Sequence, residues 1–269
     1  MPLEGQRVLV TRPIRQSGSL RAALASAGAE PVVIPTIRIE SPPDLRPLRA
    51  AAASLDGFDW VILTSANAVE RLAAAVREVT GEFSALQRAR LAVIGPATRE
   101  AARVFGCEPA VMSPVHRGEA LAEAVLDAGA GEPGTRVLLP RALEARPALP
   151  TRLRAAGVRV ADVPAYVTTT EEASADALSR LVDRREADWV TFTAASAARG
   201  YVELVGSRTG GARVAAIGPI TAQAVRDGGL GDPMVATSYT TAGLVEALVR
   251  VVTGRGDDGS TSVDPDPGQ

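Results

Sequence analysis

The sequence predicts an α/β protein made of two doubly wound, mainly parallel five-stranded-sheet domains, produced by internal duplication and separated by an interdomain cleft. Three observations predict this. Short β-type runs alternate with helical patterns of ten to fifteen residues. The chain matches itself at a nearly constant offset. Its 269 residues exceed the usual single domain of roughly 100–200 residues. In order along the chain, Val8–Thr11 is the first strand. Leu20, Ala23, Leu24 and Ala27 then fall at i, i+3, i+4 and i+7, a helix stopped at Gly28. Val32–Ile34 follows as a strand. After the turn-rich Ser41-Pro42-Pro43-Asp44 comes an Ala/Leu helix, then strands at Trp60–Leu63, Leu91–Ile94 and Ala110–Met112. Val69, Leu72, Ala73 and Val76 mark one face of a helix between the first two of these.

The self-match carries the second half. Arg7-Val8-Leu9-Val10-Thr11-Arg12 matches Arg136-Val137-Leu138-Leu139-Pro140-Arg141, 129 residues later. Gly28 with Gly157, Pro35 with Pro164, and Asp59-Trp60-Val61 with Asp188-Trp189-Val190 keep that spacing of 129. Ile94-Gly95-Pro96-Ala97-Thr98 matches Ile217-Gly218-Pro219-Ile220-Thr221 at 123, as Leu121 matches Leu244. Each copy then supplies about five strands, two before a linker-like segment and three after it, with helices on both faces. Pockets favour domain interfaces and the carboxyl ends of parallel strands, which places the expected site. The closing Gly254–Gln269, rich in Asp, Gly, Ser and Pro, is expected to be a disordered tail.

Composition narrows the chemistry. Apolar residues make up 46% and charged residues 22%, ordinary for a globular chain with a real core. A net charge of −2 and a pI of about 5.6 argue against nucleic acid as a partner. There is no lysine, so all 29 basic side chains are arginine, which excludes Schiff-base, pyridoxal-phosphate and P-loop lysine chemistry. Cys107 and His116 are each alone, so neither a disulfide, a thiolate zinc cluster nor a multi-histidine metal site is expected. His116 reads as a solvated loop residue. The N-terminus lacks a signal-peptide pattern and no apolar run reaches the roughly 18 residues of a membrane span, so a cytoplasmic protein without membrane contact is expected.

The candidate residues stand at the carboxyl ends of the strands: Arg12, Thr64 and Ser65, Thr98, Arg141, Thr193, Ser196 and Thr221. In the two Gly-Pro-x-Thr turns glycine permits a sharp exit from the strand and proline suits the first helical position. The threonine then sits beside free N–H groups at the positive end of the helix dipole, which attracts anions without a charged side chain. These turns also serve simply as well-built helix starts. Arg12 and Arg141 occupy matching positions, where each could clamp a carboxylate or close a salt bridge. Tyr166 follows Pro164 at a linker end, facing either the cleft or an ordinary strand environment. No GxGxxG follows the first strand, which disfavours a nucleotide cofactor.

Taken together, Val10-Thr11-Arg12-Pro13, the run Asp59 to Val69, Ile94-Gly95-Pro96-Ala97-Thr98, Pro164-Ala165-Tyr166 and Ala216 to Thr221 resemble the uroporphyrinogen-III synthase family, over about residues 6 to 252. The resemblance implies that spatial domains do not follow the repeats. One domain would combine 1–37 with 168–254, the other would span 43–163, and a two-stranded connector at 37–42 and 164–168, looking like Ile37–Glu40 with Ala165–Thr168, would join them as a hinge permitting open and closed forms. Residues 255–269 would remain the tail.

The resemblance further implies a cofactor-free and metal-free lyase. It would close hydroxymethylbilane with inversion of ring D, through an azafulvene cation and a spiro-pyrrolenine, to give uroporphyrinogen III and water. Tyr166 would be the catalytic helper for hydroxyl departure, Ser65 a binding serine, and Thr98 and Thr221 the helix-start threonines. A free phenol is a weak acid at neutral pH, so Tyr166 is expected to assist by hydrogen bonding, with moderate rate loss on Tyr166→Phe. Where the family often has a serine pair, this chain has Thr193-Ala194-Ala195-Ser196, which shifts that role to Thr193 or Ser196. A monomer is expected, with hydroxymethylbilane synthase as a transient contact. The rival readings are a non-catalytic tetrapyrrole sensor of the same fold, a glycosyltransferase and a solute-binding protein. The short acidic tail, the repeat and the missing export signal, respectively, weigh against them.

Overall fold

A computed structural model describes residues 1–113 and 117–254. His116 and the tail expected at 255–269 lie outside the described residues. The chain opens with β1 (Arg7–Val10), α1 (Gly18–Ser26) and β2 (Glu30–Val33). It continues through β3 (Ile37–Glu40), α2 (Arg46–Ala53), β4 (Trp60–Leu63), α3 (Ala66–Thr80), α4 (Ser84–Arg88), β5 (Arg90–Ile94) and α5 (Gly95–Val104). Next come β6 (Val111–Ser113), α6 (Gly118–Val125), β7 (Arg136–Ala142), α7 (Ala148–Ala155) and β8 (Arg159–Thr170). The last third holds α8 (Ala175–Asp183), β9 (Trp189–Phe192), α9 (Ala195–Val205), β10 (Arg213–Ala216), α10 (Pro219–Asp227), β11 (Met234–Val235) and α11 (Thr241–Val252).

Two compact units result. One comprises Met1–Arg38 with the described residues from Thr169 onward, the other Ile39–Thr168. The first unit carries a five-stranded sheet in the order β11-β10-β9-β1-β2. The second carries β3-β8-β7-β4-β5-β6. In the first, β1 pairs in parallel with β2 and β9, and β10 with β9 and β11. In the second, β4 pairs in parallel with β5 and β7, β5 with β6, and β7 with β8. Parallel neighbours require crossover connections, and the helices supply them.

The sheets are apolar on both faces, as covered parallel sheets must be. Side chains alternate between faces along a strand. Thus Val61 and Leu63 of β4 join the cluster around Leu72 and Val76, while Trp60 and Ile62 join that around Leu121 and Val137. In the other unit Leu9 packs with Val190, Phe192 and Tyr201, and Val8 and Val10 pack with Leu20, Leu24 and Trp189. Two local devices occur at the same sequence offsets in both sheets. Asp59 accepts the Arg136 N–H at 2.8 Å and Asp188 accepts the Arg7 N–H at 2.7 Å. Arg90 lies 4.1 Å over the Trp60 ring and Arg213 lies 4.3 Å over Trp189.

Strand β8 runs without interruption through Ala165–Thr168, and β3 lies beside it at the edge of the sheet. Its ladder to β7 ends at Tyr166 opposite Ala142, after a register shift that accommodates Pro164.

Candidate functional site

In the unit Ile39–Thr168, the end of β4 delivers Thr64 and Ser65 to the head of α3. Ser65 has extended backbone (φ −155°, ψ 154°) and is the N-cap: its Oγ accepts the Ala68 N–H at 3.2 Å. Its Oγ also lies 3.0 Å from the Tyr166 hydroxyl. Tyr166 is 8% exposed, packed with the core around Leu138 and Val163, and its carbonyl accepts the Leu143 N–H at 2.8 Å. The tyrosine is therefore neither an ordinary strand residue nor a free one: its ring is core and its hydroxyl is held at a helix start. Thr64 is half-buried.

Thr98 lies in the first turn of α5, after Gly95 at φ +74°, a left-handed conformation that favours glycine, and after Pro96. It is buried, and among the described residues no side-chain hydrogen bond occupies its hydroxyl. Thr221 is the counterpart in α10, equally buried and equally unoccupied among the described residues. Its turn differs from that of Thr98 at the glycine. Gly218 is extended (φ −175°), and a Cβ there would meet the Tyr239 ring at 3.2 Å.

The two matched arginines differ. Arg141, expected as a carboxylate clamp, already grips one. Its Nε and Nη2 donate to the two oxygens of Asp162 at 2.6 Å each, and Nη1 donates to the Arg146 carbonyl at 2.7 Å. These bonds make Arg141 a brace between β7 and β8. Arg12 is half-buried, and burial lowers its pKa from the ordinary guanidinium value. Among the described residues it closes no ion pair; Nη1 only approaches Thr241 Oγ1, at 3.5 Å. Val33 stands where the offset would place a partner corresponding to Asp162.

Thr193 and Ser196, half-buried, flank the start of α9. Ala194 is its N-cap, with φ −153° and ψ 147°, nearly the backbone of Ser65 but with no oxygen to cap with. Residues not singled out from the sequence also gather at strand ends of the first unit: Tyr239 beside Gly218, Thr240 capping α11 through the Gly243 N–H at 3.0 Å, and Thr241 beside Arg12. The one signal that could have found them is the offset of 123, which sets Tyr239 against His116. Exposed apolar side chains stand at strand ends in both units: Leu143 after β7, and Ile14, Ile220 and Tyr239 after β1, β10 and β11. Among the described residues no cluster of three or more His, Cys, Asp or Glu has the makings of a metal site, and no helix is long and apolar enough to cross a membrane.

Residues 18–246 match the family model described as uroporphyrinogen-III synthase HemD. The chain belongs to the uroporphyrinogen-III synthase family. It is 31% identical over 257 residues to the uroporphyrinogen-III synthase of Synechococcus elongatus, covering 92% of this chain and 96% of that protein. Its fold is also that of solved uroporphyrinogen-III synthases. A mutant of the uroporphyrinogen-III synthase from Thermus thermophilus superimposes with a TM-score of 0.59 at 20% identity, over 94% of this chain and 100% of that one. The Helicobacter pylori enzyme gives 0.58 at 17%, over 91% and 99%.

Proposed function

We propose that the chain is a cofactor-independent hydro-lyase that converts hydroxymethylbilane to uroporphyrinogen III and water with inversion of ring D. Within the family match, the observation that carries this reading is the Tyr166 hydroxyl fixed at the head of α3, 3.0 Å from Ser65 Oγ. A hydrogen-bond donor in that position assists the step that starts the reaction. The C–O bond of the hydroxymethyl group breaks, its electron pair leaves with oxygen, and the pyrrole becomes an azafulvene cation. Attack by the substituted carbon of ring D gives the spiro-pyrrolenine, which fragments and recloses. The hydroxyl leaves as water, and the proton that it takes is returned when ring D loses its α-hydrogen.

The substrate cyclises unaided to the uninverted isomer I, so the protein has mainly to hold one conformer. Eight acetate and propionate carboxylates match a chain that presents helix starts, hydroxyls and arginine. Thr98 and Thr64 in one unit, and Thr221, Thr193, Ser196 and Arg12 in the other, are the proposed binding groups. The matched strand orders, the paired Asp braces and the paired Arg–Trp stacks support an origin by duplication, in which each unit combines strands of both copies. Freshly prepared hydroxymethylbilane is the decisive substrate. Chromatography of the oxidised products should show isomer III well above the spontaneous isomer I background. Isomer I alone would overturn the activity and leave a tetrapyrrole-binding protein.

A further inference from the structure

Ser65 has a hydrogen-bond arrangement that fixes more than a helix end. A serine hydroxyl has one hydrogen to donate and two lone pairs to accept with. One lone pair takes the Ala68 N–H at 3.2 Å. The only other side-chain contact of Ser65 among the described residues is the Tyr166 hydroxyl at 3.0 Å. Either hydroxyl can be the donor, and each choice leaves the other hydrogen without a protein acceptor among the described residues. If serine donates, the hydrogen left pointing outward is that of the phenol, the more acidic of the two. The second arrangement also forms a directed chain from the α3 backbone through Ser65 to Tyr166, in which each bond polarises the next. The positive end of the helix dipole stabilises electron density accumulating on the phenol oxygen.

We infer that Ser65 is a positioning residue which donates its hydrogen to Tyr166 and so aims the phenol hydrogen at the departing hydroxyl of the substrate. This rests on the proposed activity, and it changes the role of Ser65 from a binding serine to the orienter of the proton donor. As the C–O bond breaks, the phenol O–H bond breaks with it and its hydrogen leaves in the water; the phenolate regains a proton when ring D loses its α-hydrogen, and Ser65 keeps its own proton throughout.

The test compares Ser65→Gly, Ser65→Thr, Tyr166→Phe and the double variant Ser65→Gly/Tyr166→Phe. Glycine at an N-cap costs a helix only a few tenths of a kcal/mol, so Ser65→Gly removes the hydroxyl and spares the helix. It should lower kcat by roughly five- to tenfold, the worth of one hydrogen bond, with KM within about twofold. Ser65→Thr should restore most of the rate. In the Tyr166→Phe background the glycine substitution should cost nothing further, because the residue it acts through is gone. An equal loss in both backgrounds overturns the relay, and so does a raised KM with kcat intact, which would make Ser65 a direct substrate ligand. Independently of turnover, isotope-edited infrared spectra of ring-labelled tyrosine, taken as wild type minus Tyr166→Phe, report the phenol C–O stretch. A phenol accepting a hydrogen bond supports the relay; one that only donates removes it. If the wild-type chain yields isomer I alone, the activity fails while this band still decides the direction of the bond.

Discussion

Arg12 and Arg141 show how one residue type at matching positions takes two roles through a single neighbour. Asp162 supplies two oxygens at 2.6 Å, and the pair is 14% and 22% exposed, so Arg141 is a brace whose loss leaves a largely buried carboxylate behind. Arg141→Ala should cost about 2–3 kcal/mol in denaturant unfolding and leave KM unchanged. Arg12 has Val33 in place of that partner and closes no ion pair among the described residues, and we propose that it meets a carboxylate of the ligand. Arg12→Gln should raise KM about tenfold, the worth of one charge-assisted hydrogen bond, and weaken equilibrium binding of an octacarboxylate porphyrin in parallel, with little change in melting. An unchanged KM in Arg12→Gln, or a raised one in Arg141→Ala, would reverse the assignment. Both positions were legible as a matched pair in the sequence. Which of them is free was not, because the deciding carboxylate lies on a neighbouring strand.

At the scale of elements, α3 and α9 start from nearly identical backbone but only α3 has a capping oxygen. Ala194→Ser should restore the cap at the existing φ and ψ and stabilise the chain by about 1 kcal/mol, read as a higher urea midpoint at constant slope. A neutral or destabilising result would mean that the α9 N–H groups are already satisfied. The α9 helix is held from its other side too: a Cβ at Gly200 would fall 2.4 Å from the Thr36 carbonyl, and the Thr36 hydroxyl donates to the Ala197 carbonyl at 2.8 Å. Strands and amphipathic helices were legible because burial repeats with their own periods along the chain. The run of β8 through Pro164 was not, since a proline suggests a break and the register shift that accommodates it needs β7 alongside.

For the molecule as a whole, Tyr201 contributes to the alkaline pH dependence of stability. Tyr201 is fully buried at the core of its unit, stacked edge-on against Phe192, and donates its hydroxyl to the Arg208 carbonyl at 2.8 Å. Burial pushes its pKa from the ordinary value of 10 up to about 12. A phenol that holds its proton more tightly when folded contributes stability that is complete below pH about 10, the unfolded value, and is lost as pH rises towards about 12. The loss should approach roughly 2–3 kcal/mol at the upper end, and Tyr201→Phe should flatten that limb of the unfolding curve. A limb of the same slope in the phenylalanine variant would assign it to other groups.

The sequence by itself determined the α/β class, the self-match, the absence of lysine and the row of hydroxyls and arginines at strand ends. Each of these is written in local order, spacing or composition. Only the tertiary structure decided that β3 and β8 extend one sheet to six strands, that Asp162 occupies Arg141, and that Tyr166 meets Ser65 across 101 residues of chain. Hydrogen bonds and ion pairs depend on distances of about 3 Å between groups remote in sequence, and periodicity says which face a residue takes but not which side chain it finds there.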